Sequence, residues 1–327
     1  MTKIDRCINK AKNRLDRLGF PTVSDINAAV KSGDIADIIN LCEIYHEQRI
    51  SEIAETIHGD VKIRLVLISG PSGSGKTSFA AKLRLHLRVL GTDAVSISLD
   101  DYFKNIEDMP IGADGKYDFE SFESIDYPLL NRHIGELIRG REVSMPIFDF
   151  NSDGSVPNAR RLQLKENEII IIEGIHALNE KIAENISGEQ KFRVYCSALN
   201  ALETDEGNRI RSSSTRLMRR LVRDFYFRNT KADFTFELWP NVEKSAEVNI
   251  YPYTDSADKI FNSSIPYEYS VYKKHLERVF DNIVLCEEHE KLKNEVMSIV
   301  DKFYVTDESK VWQTSIIREF IGGSTLF

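Results

Sequence analysis

The stretch Ser69–Ser78 reads SGPSGSGKTS and comes directly after the apolar run IRLVLI, Ile63–Ile68. A continuous run of leucine and β-branched residues reads as a buried parallel strand, and the residues after such a strand sit at the carboxyl edge of the sheet, where open α/β sheets bind ligands. The spacing Gly70-x4-Gly75-Lys76-Thr77 fits a phosphate-binding loop. In such a loop, glycines let backbone N–H groups curl around an anion, and the lysine reaches the outer phosphates. Candidate nucleotide contacts are therefore Gly70, Pro71, Ser72, Gly73, Ser74, Gly75, Lys76, Thr77 and Ser78, and the Thr77 hydroxyl has the position that ligates Mg2+. Beyond it, Phe79, Leu83, Leu87 and Leu90 form a helical stripe, which would seat the anion at a helix N-terminus.

Working outward, apolar strand patterns at AVSISLDDYF (94–103), EIIIIEG (168–174), FRVYCSA (192–198) and ADKIFNSS (257–264) alternate with helical ones, near 127–139 and over the basic stretch 215–228. This alternation predicts an α/β fold of the phosphate-loop NTPase type, a parallel sheet with helices on both faces. Residues 1–60 read as an α-helical leader in which SDINAAVKSGD marks a turn between two helices. The second helix carries a stripe of Ile35, Ile38, Cys42, Tyr45, Ile53 and Ile57. Residues 61–327 then form the main domain, with a mostly helical tail.

A formal charge of −8 and a pI near 5.5 argue against a general nucleic-acid or anionic-membrane binder. Cys7, Cys42, Cys196 and Cys286 are too scattered for a zinc pattern and too few for a disulfide scaffold. The first twenty residues lack the apolar core of a signal peptide, and no segment approaches a transmembrane span, so a cytoplasmic protein is expected.

Several polar residues stand out against this frame. Asp100 and Asp101 end a strand pattern at the same sheet edge as the loop, and alternation sends them to opposite sides. One of them could accept the proton of an attacking hydroxyl; a helix cap or turn acid is the plainer alternative. Glu173 ends an almost wholly apolar strand and could hold Mg2+ directly or through water. Arg216, Arg220 and Arg223 share one helical face with Arg219 beside them; they form either a solvated basic face or a group that closes over a transferring phosphoryl. In MPIFDFNSDG (145–154), Phe148 and Phe150 could be core, or one could stack on a flat substrate.

Together GPSGSGKTS, SISLDDYF, YDFESFESID, MPIFDF, IIIIEGIHALN and TRLMRRLVRD, in this order, resemble the uridine kinase and phosphoribulokinase family. YHEQRISEIAETI, NIYPYTDSADKIFNSSIPYE and REFIGGS are similar to a bacterial nucleoside-kinase-like subgroup. The resemblance implies an ATP- and Mg2+-dependent kinase acting on a small-molecule nucleoside, uridine or cytidine first, and it is compatible with a homo-oligomer. It implies Asp100 as the base for the 5′-hydroxyl proton, with Lys76, Arg220 and Arg223 in the transfer itself. Glu120 then contacts the ribose, Tyr102 belongs to the acceptor pocket, and Phe148 stacks on the base. Glu173 lies near Mg2+, and Arg228 joins Arg220 and Arg223 as a phosphate and lid arginine. The position that reads the pyrimidine edge, histidine in the animal enzymes, corresponds to Asp153. If Asp153 lines the pocket, an ionised aspartate can only accept, so bases with an amino group are favoured over uracil; in NSDGS it could instead form a turn. A sugar-phosphate kinase of the phosphoribulokinase type is the alternative, disfavoured because the pocket segments carry acids and no Lys or Arg. A nucleotide-binding regulatory module without transfer would keep the loop and need no Asp100.

Overall fold

The computed structural model describes residues 1–112, 115–149 and 154–327. Its strands in chain order are β1 (Leu65–Ser69), β2 (Ala94–Ser98), β3 (Val143–Asp149), β4 (Gly154–Leu162), β5 (Ile169–Glu173), β6 (Lys191–Ser197) and β7 (Lys259–Asn262). Five of them make one sheet in the order β2-β5-β1-β6-β7, and every pairing is parallel. The central strand β1 is buried throughout. That is the condition that lets a strand carry no polar face, and it explains the unbroken apolar run in the sequence.

Side chains alternate across the sheet into two cores. Val66, Ile68, Ile171, Val194 and Cys196 face one, and Leu65, Leu67, Ile170, Ile172 and Tyr195 face the other. Helix α1 (Lys3–Leu18), α2 (Val23–Ser32), α3 (Ile35–His58) and α4 (Lys76–Val89) contribute to the first core. The second is covered by α5 (Tyr127–Ile138). Helices α6 (Ser212–Phe227), α7 (Ala232–Asn249), α8 (Glu268–Val279), α9 (Glu287–Val300) and the short α10 (Arg318–Ile321) complete the chain. The fold expected from the sequence, an α/β parallel sheet covered on both faces and preceded by helices, is the one observed.

Two local readings need correction. Residues 24–34, expected to mark a turn, lie mostly in α2 (Val23–Ser32): Thr22 and Asp25 close a reciprocal capping box at its start, and Gly33 takes a left-handed conformation at its end. The signal was present as Thr-x-x-Asp before an apolar periodic run, with glycine after it. The second concerns MPIFDFNSDG, which alternates apolar and polar residues before a turn and for which the sequence named no partner. Its residues 145–149 belong to β3, which pairs antiparallel with β4, a mostly exposed strand carrying Asn158, Arg160 and Arg161 that gave no apolar pattern to read. Among the described residues, no helix is long and apolar enough to cross a membrane.

Candidate active site

The loop between β1 and α4 has no room for a side chain at its glycines. A Cβ on Gly70 would lie 1.8 Å from the Cys196 carbonyl oxygen, and one on Gly73 would lie 2.7 Å from that of Arg216. Gly73 and Gly75 also have φ near +80°, which only glycine adopts readily. The loop is held from behind by donors to its carbonyls. Arg216 Nε bonds Ser72 O at 3.1 Å, Arg219 Nη1 bonds Gly73 O at 3.3 Å, and Ser263 Oγ bonds Ser74 O at 2.5 Å. With its carbonyls committed there, the loop presents a helix N-terminus at the sheet's carboxyl edge, a favourable place for an anion.

In front of the loop lies a cleft of about 600 Å3. The structure brings together there Ser72, Gly73, Gly75, Lys76 and Thr77 of the loop with Asp100, Glu120, Glu173, Arg220, Arg223 and Arg228. Asp100 and Asp101 do part to opposite sides, but through a helical turn over Leu99–Tyr102 that comes after β2. Asp101 lines a separate groove of about 690 Å3 beside edge strand β2, which also reaches Thr77 and Glu173.

The same turn carries Tyr102 away from the cleft. Its ring is buried and its hydroxyl meets His133 Nδ1 at 3.0 Å, so it packs in the second core instead of lining the acceptor pocket. Phe148 is likewise buried, edge-on to Phe103 and Phe119. Those two rings line the cleft, which Phe148 does not reach. The motifs DYF and YDF held this signal. Phe150 and Asp153 lie outside the described residues.

Burial dominates the acids. It pushes Asp100 above the ordinary carboxylate range, opposed by the charges of Lys76, Arg228 and Arg223. Glu120 is raised by burial too, opposed by Arg220, whose Nη1 lies 3.5 Å from Glu120 Oε1. Glu173 is pushed up to about 7 by burial, with Lys76 opposing and the charges of Asp100 and Glu319 adding. Its hydrogen bond from Ser98 Oγ, at 3.3 Å, lowers it only slightly. A carboxylate this costly to ionise, lining the same cleft as Thr77, suits a hard divalent cation. Among the described residues no three His, Cys, Asp or Glu side chains cluster as a metal site.

The arginine-rich face of α6 is not a solvated surface. Arg216 and Arg219 are fully buried and build the loop's support, paired with Glu243 and Glu268 respectively. Arg220 reaches the cleft and donates to Ser72 Oγ at 3.2 Å. A residue the sequence reading passed over organises the rest: Asp224, buried on α6, lies 3.3 Å from Arg220 Nε, 2.7 Å from Arg223 Nη2 and 3.7 Å from Arg228 Nε. Burial raises its carboxyl, but Arg223, Arg220 and Arg228 outweigh this and hold it below the usual range. Arg228 in turn is lowered to about 10, chiefly by Arg223. The spacing of four residues on either side, Arg220-Asp224-Arg228, was the available signal. Glu319 is the second omission; it comes from α10, some 240 residues beyond the loop, and its carboxylate faces the cleft.

Sheet and cleft define a phosphate-loop α/β protein whose cleft carries Asp100, Glu120 and Glu173 and is faced by an arginine-bearing helix. A family model described as the Phosphoribulokinase / Uridine kinase family matches residues 65–266, and the chain belongs to that family. It is 37% identical over 169 residues to a uridine kinase of Schizosaccharomyces pombe, covering 51% of this chain and 33% of that protein. It is 28% identical over 157 residues to a uridine kinase of Halobacterium salinarum, covering 48% and 60%. An inorganic pyrophosphatase of Arabidopsis thaliana, TTM2, shares 40% identity over 120 residues, 37% of this chain and 16% of that one. The chain thus spans about a third of the length of the first of these relatives. Among solved structures, a possible uridine kinase from Bacillus stearothermophilus aligns with a TM-score of 0.44 at 19% identity, covering 65% of this chain and 97% of that one.

Proposed function

We propose that the chain transfers the γ-phosphoryl of ATP to the 5′-hydroxyl of a nucleoside, uridine or cytidine being the first to test. The observation that carries this reading is Asp100: a carboxylate raised by burial, lining one cleft with Lys76 and Arg220, Arg223 and Arg228. A base whose pKa is lifted toward neutrality takes a hydroxyl proton more effectively than an ordinary aspartate, and a nucleotide switch has no use for one opposite the phosphates. The loop seats the triphosphate, and Lys76 neutralises its outer charge. Arg220, Arg223 and Arg228 meet the charge that develops on the transferring group. Thr77 and Glu173 would hold Mg2+, which when bound neutralises charge across the β- and γ-phosphates. On the acceptor side Glu120 suits ribose hydroxyls, while Phe103 and Phe119 offer faces for a base.

The test is ADP release from ATP with and without a panel of nucleosides. Stimulation by a pyrimidine nucleoside is expected. A slow ADP release that no nucleoside stimulates would remove the nucleoside from the reading.

A further inference from the structure

At the start of α4 the position of an anion is already filled. Glu319 Oε2 accepts hydrogen bonds from the Ser78 backbone N–H at 3.0 Å and from Ser78 Oγ at 2.8 Å. Ser78 is the third residue of the helix that opens at Lys76, so its N–H is one of the unpaired amides that make a helix N-terminus attract phosphate. A carboxylate and a phosphate oxygen compete for the same donor.

The carboxylate cannot drift far. Its backbone belongs to a segment whose Ile316, Ile317 and Phe320 are fully buried. Ser315 Oγ donates to Glu43 at 2.6 Å, Lys82 Nζ donates to the Thr314 carbonyl at 3.0 Å, and Arg318 bonds the Val311 carbonyl at 2.9 Å. Ile316 also packs so close to the loop that a Cβ on Gly75 would lie 2.6 Å from its Cγ2. Only the Glu319 side chain, which is partly exposed, is able to swing. Wherever it swings, a negative charge stays beside the loop, and Glu173 already registers it.

We propose that Glu319 is a resident competitor for the nucleotide's phosphates, which must displace its carboxylate from Ser78, and that it sets nucleotide affinity by this competition. The inference rests on the loop being the nucleotide site. It predicts weaker binding of both ATP and ADP than the loop alone would give, and hence faster loss of ADP after transfer. Affinity differences within one site fall mostly on the dissociation rate.

Calorimetry of ADP and of inorganic tripolyphosphate on the wild type and on Glu319→Gln tests it. The isosteric amide keeps an acceptor for Ser78 but removes the charge, so both ligands are expected to bind about 5–20-fold tighter, with a slower ADP off-rate. Equal or weaker binding by a variant with an unchanged melting temperature overturns the proposal and leaves the nucleotide site standing. No ADP binding by either protein overturns the nucleotide site and the proposal with it. The wild type supplies an independent readout that no folding defect can obscure. In a crystal structure with ADP, a phosphate oxygen is expected on the Ser78 N–H with Glu319 turned away, and a Glu319 still bonded to that N–H refutes displacement.

Discussion

Asp100 and Lys76 face one cleft from different elements, and their substitution should separate two functions. Lys76→Ala removes the charge aimed at the outer phosphates and is expected to abolish transfer. Asp100→Asn keeps shape and hydrogen bonding but cannot take a proton. It should leave ATP affinity within a few-fold and cut turnover roughly 100-fold or more. Calorimetry of ATP beside turnover measurements checks both, and an asparagine variant with near wild-type turnover would take Asp100 out of the chemistry. That Lys76, Thr77 and Asp100 meet at one sheet edge was legible in the sequence because it depends on local spacing at strand ends. Tyr102, placed in the acceptor pocket by resemblance alone, lies in a turn after Ser98 where the backbone becomes helical and carries the ring into the core.

Helix α6 shows what spacing alone leaves undecided. Four arginines on or beside one face could be read as a surface, yet Arg216 and Arg219 are buried and serve as struts for the loop. Which arginines reach the cleft depends on distant partners, Glu243 and Glu268, that no window of sequence contains. Asp224 is a positioning residue within this element. Replacing it with asparagine removes the charge that gathers Arg220, Arg223 and Arg228, which then repel one another. Turnover is expected to fall about 10–100-fold while free ATP binding changes less, because lid contacts tighten as the phosphoryl moves. Steady-state kinetics of Asp224→Asn with titration of ATP binding provides the measurement. Equal losses in both would show that Asp224 merely supports the fold.

At the scale of the whole molecule, helices α1–α3 are part of the principal core and hold α4 in place. Glu47 on α3 bonds Lys82 Nζ at 2.6 Å and His86 Nε2 at 2.7 Å, both on α4. Burial lifts Glu47, but the bonds from His86 and Lys82 outweigh it and hold the carboxyl down at about 2. A carboxyl depressed in the folded state binds fewer protons there than in the unfolded chain. Its stabilisation is therefore complete above about pH 4.5 and is lost as pH falls toward 2. Glu47→Gln should lower stability at pH 7 by on the order of 2 kcal/mol, since the site is partly exposed. The gap to wild type should narrow below about pH 4.5 and close only as the pH falls through about 2. Urea unfolding across pH 2–7 tests this, and a gap that stays constant would place the effect in packing alone. The helical character of residues 1–60 was plain from periodicity; their bond to α4 was not, since it pairs residues 39 apart across two elements.

The contact between Ser78 and Glu319 joins residues 241 apart, and that between Glu43 and Ser315 joins residues 272 apart. The first closes on α4, the helix that follows the loop, and the second on α3, which pairs with α4 through Glu47. Contacts of such long range form late, because loop closure costs entropy before the pairing rewards it. During synthesis at about 5–20 residues per second, the strand and loop of residues 65–78 emerge well before residues 315–320 can reach them. The residues that brace the loop, up to Ser263, precede Glu319 by 56 positions, so for roughly 3–11 s the growing chain can hold a braced glycine loop with no carboxylate to compete for its amides. If the loop is the nucleotide site, a nucleotide would meet that nascent loop before Glu319 does, and its binding energy would favour the folded form of a sheet not yet complete.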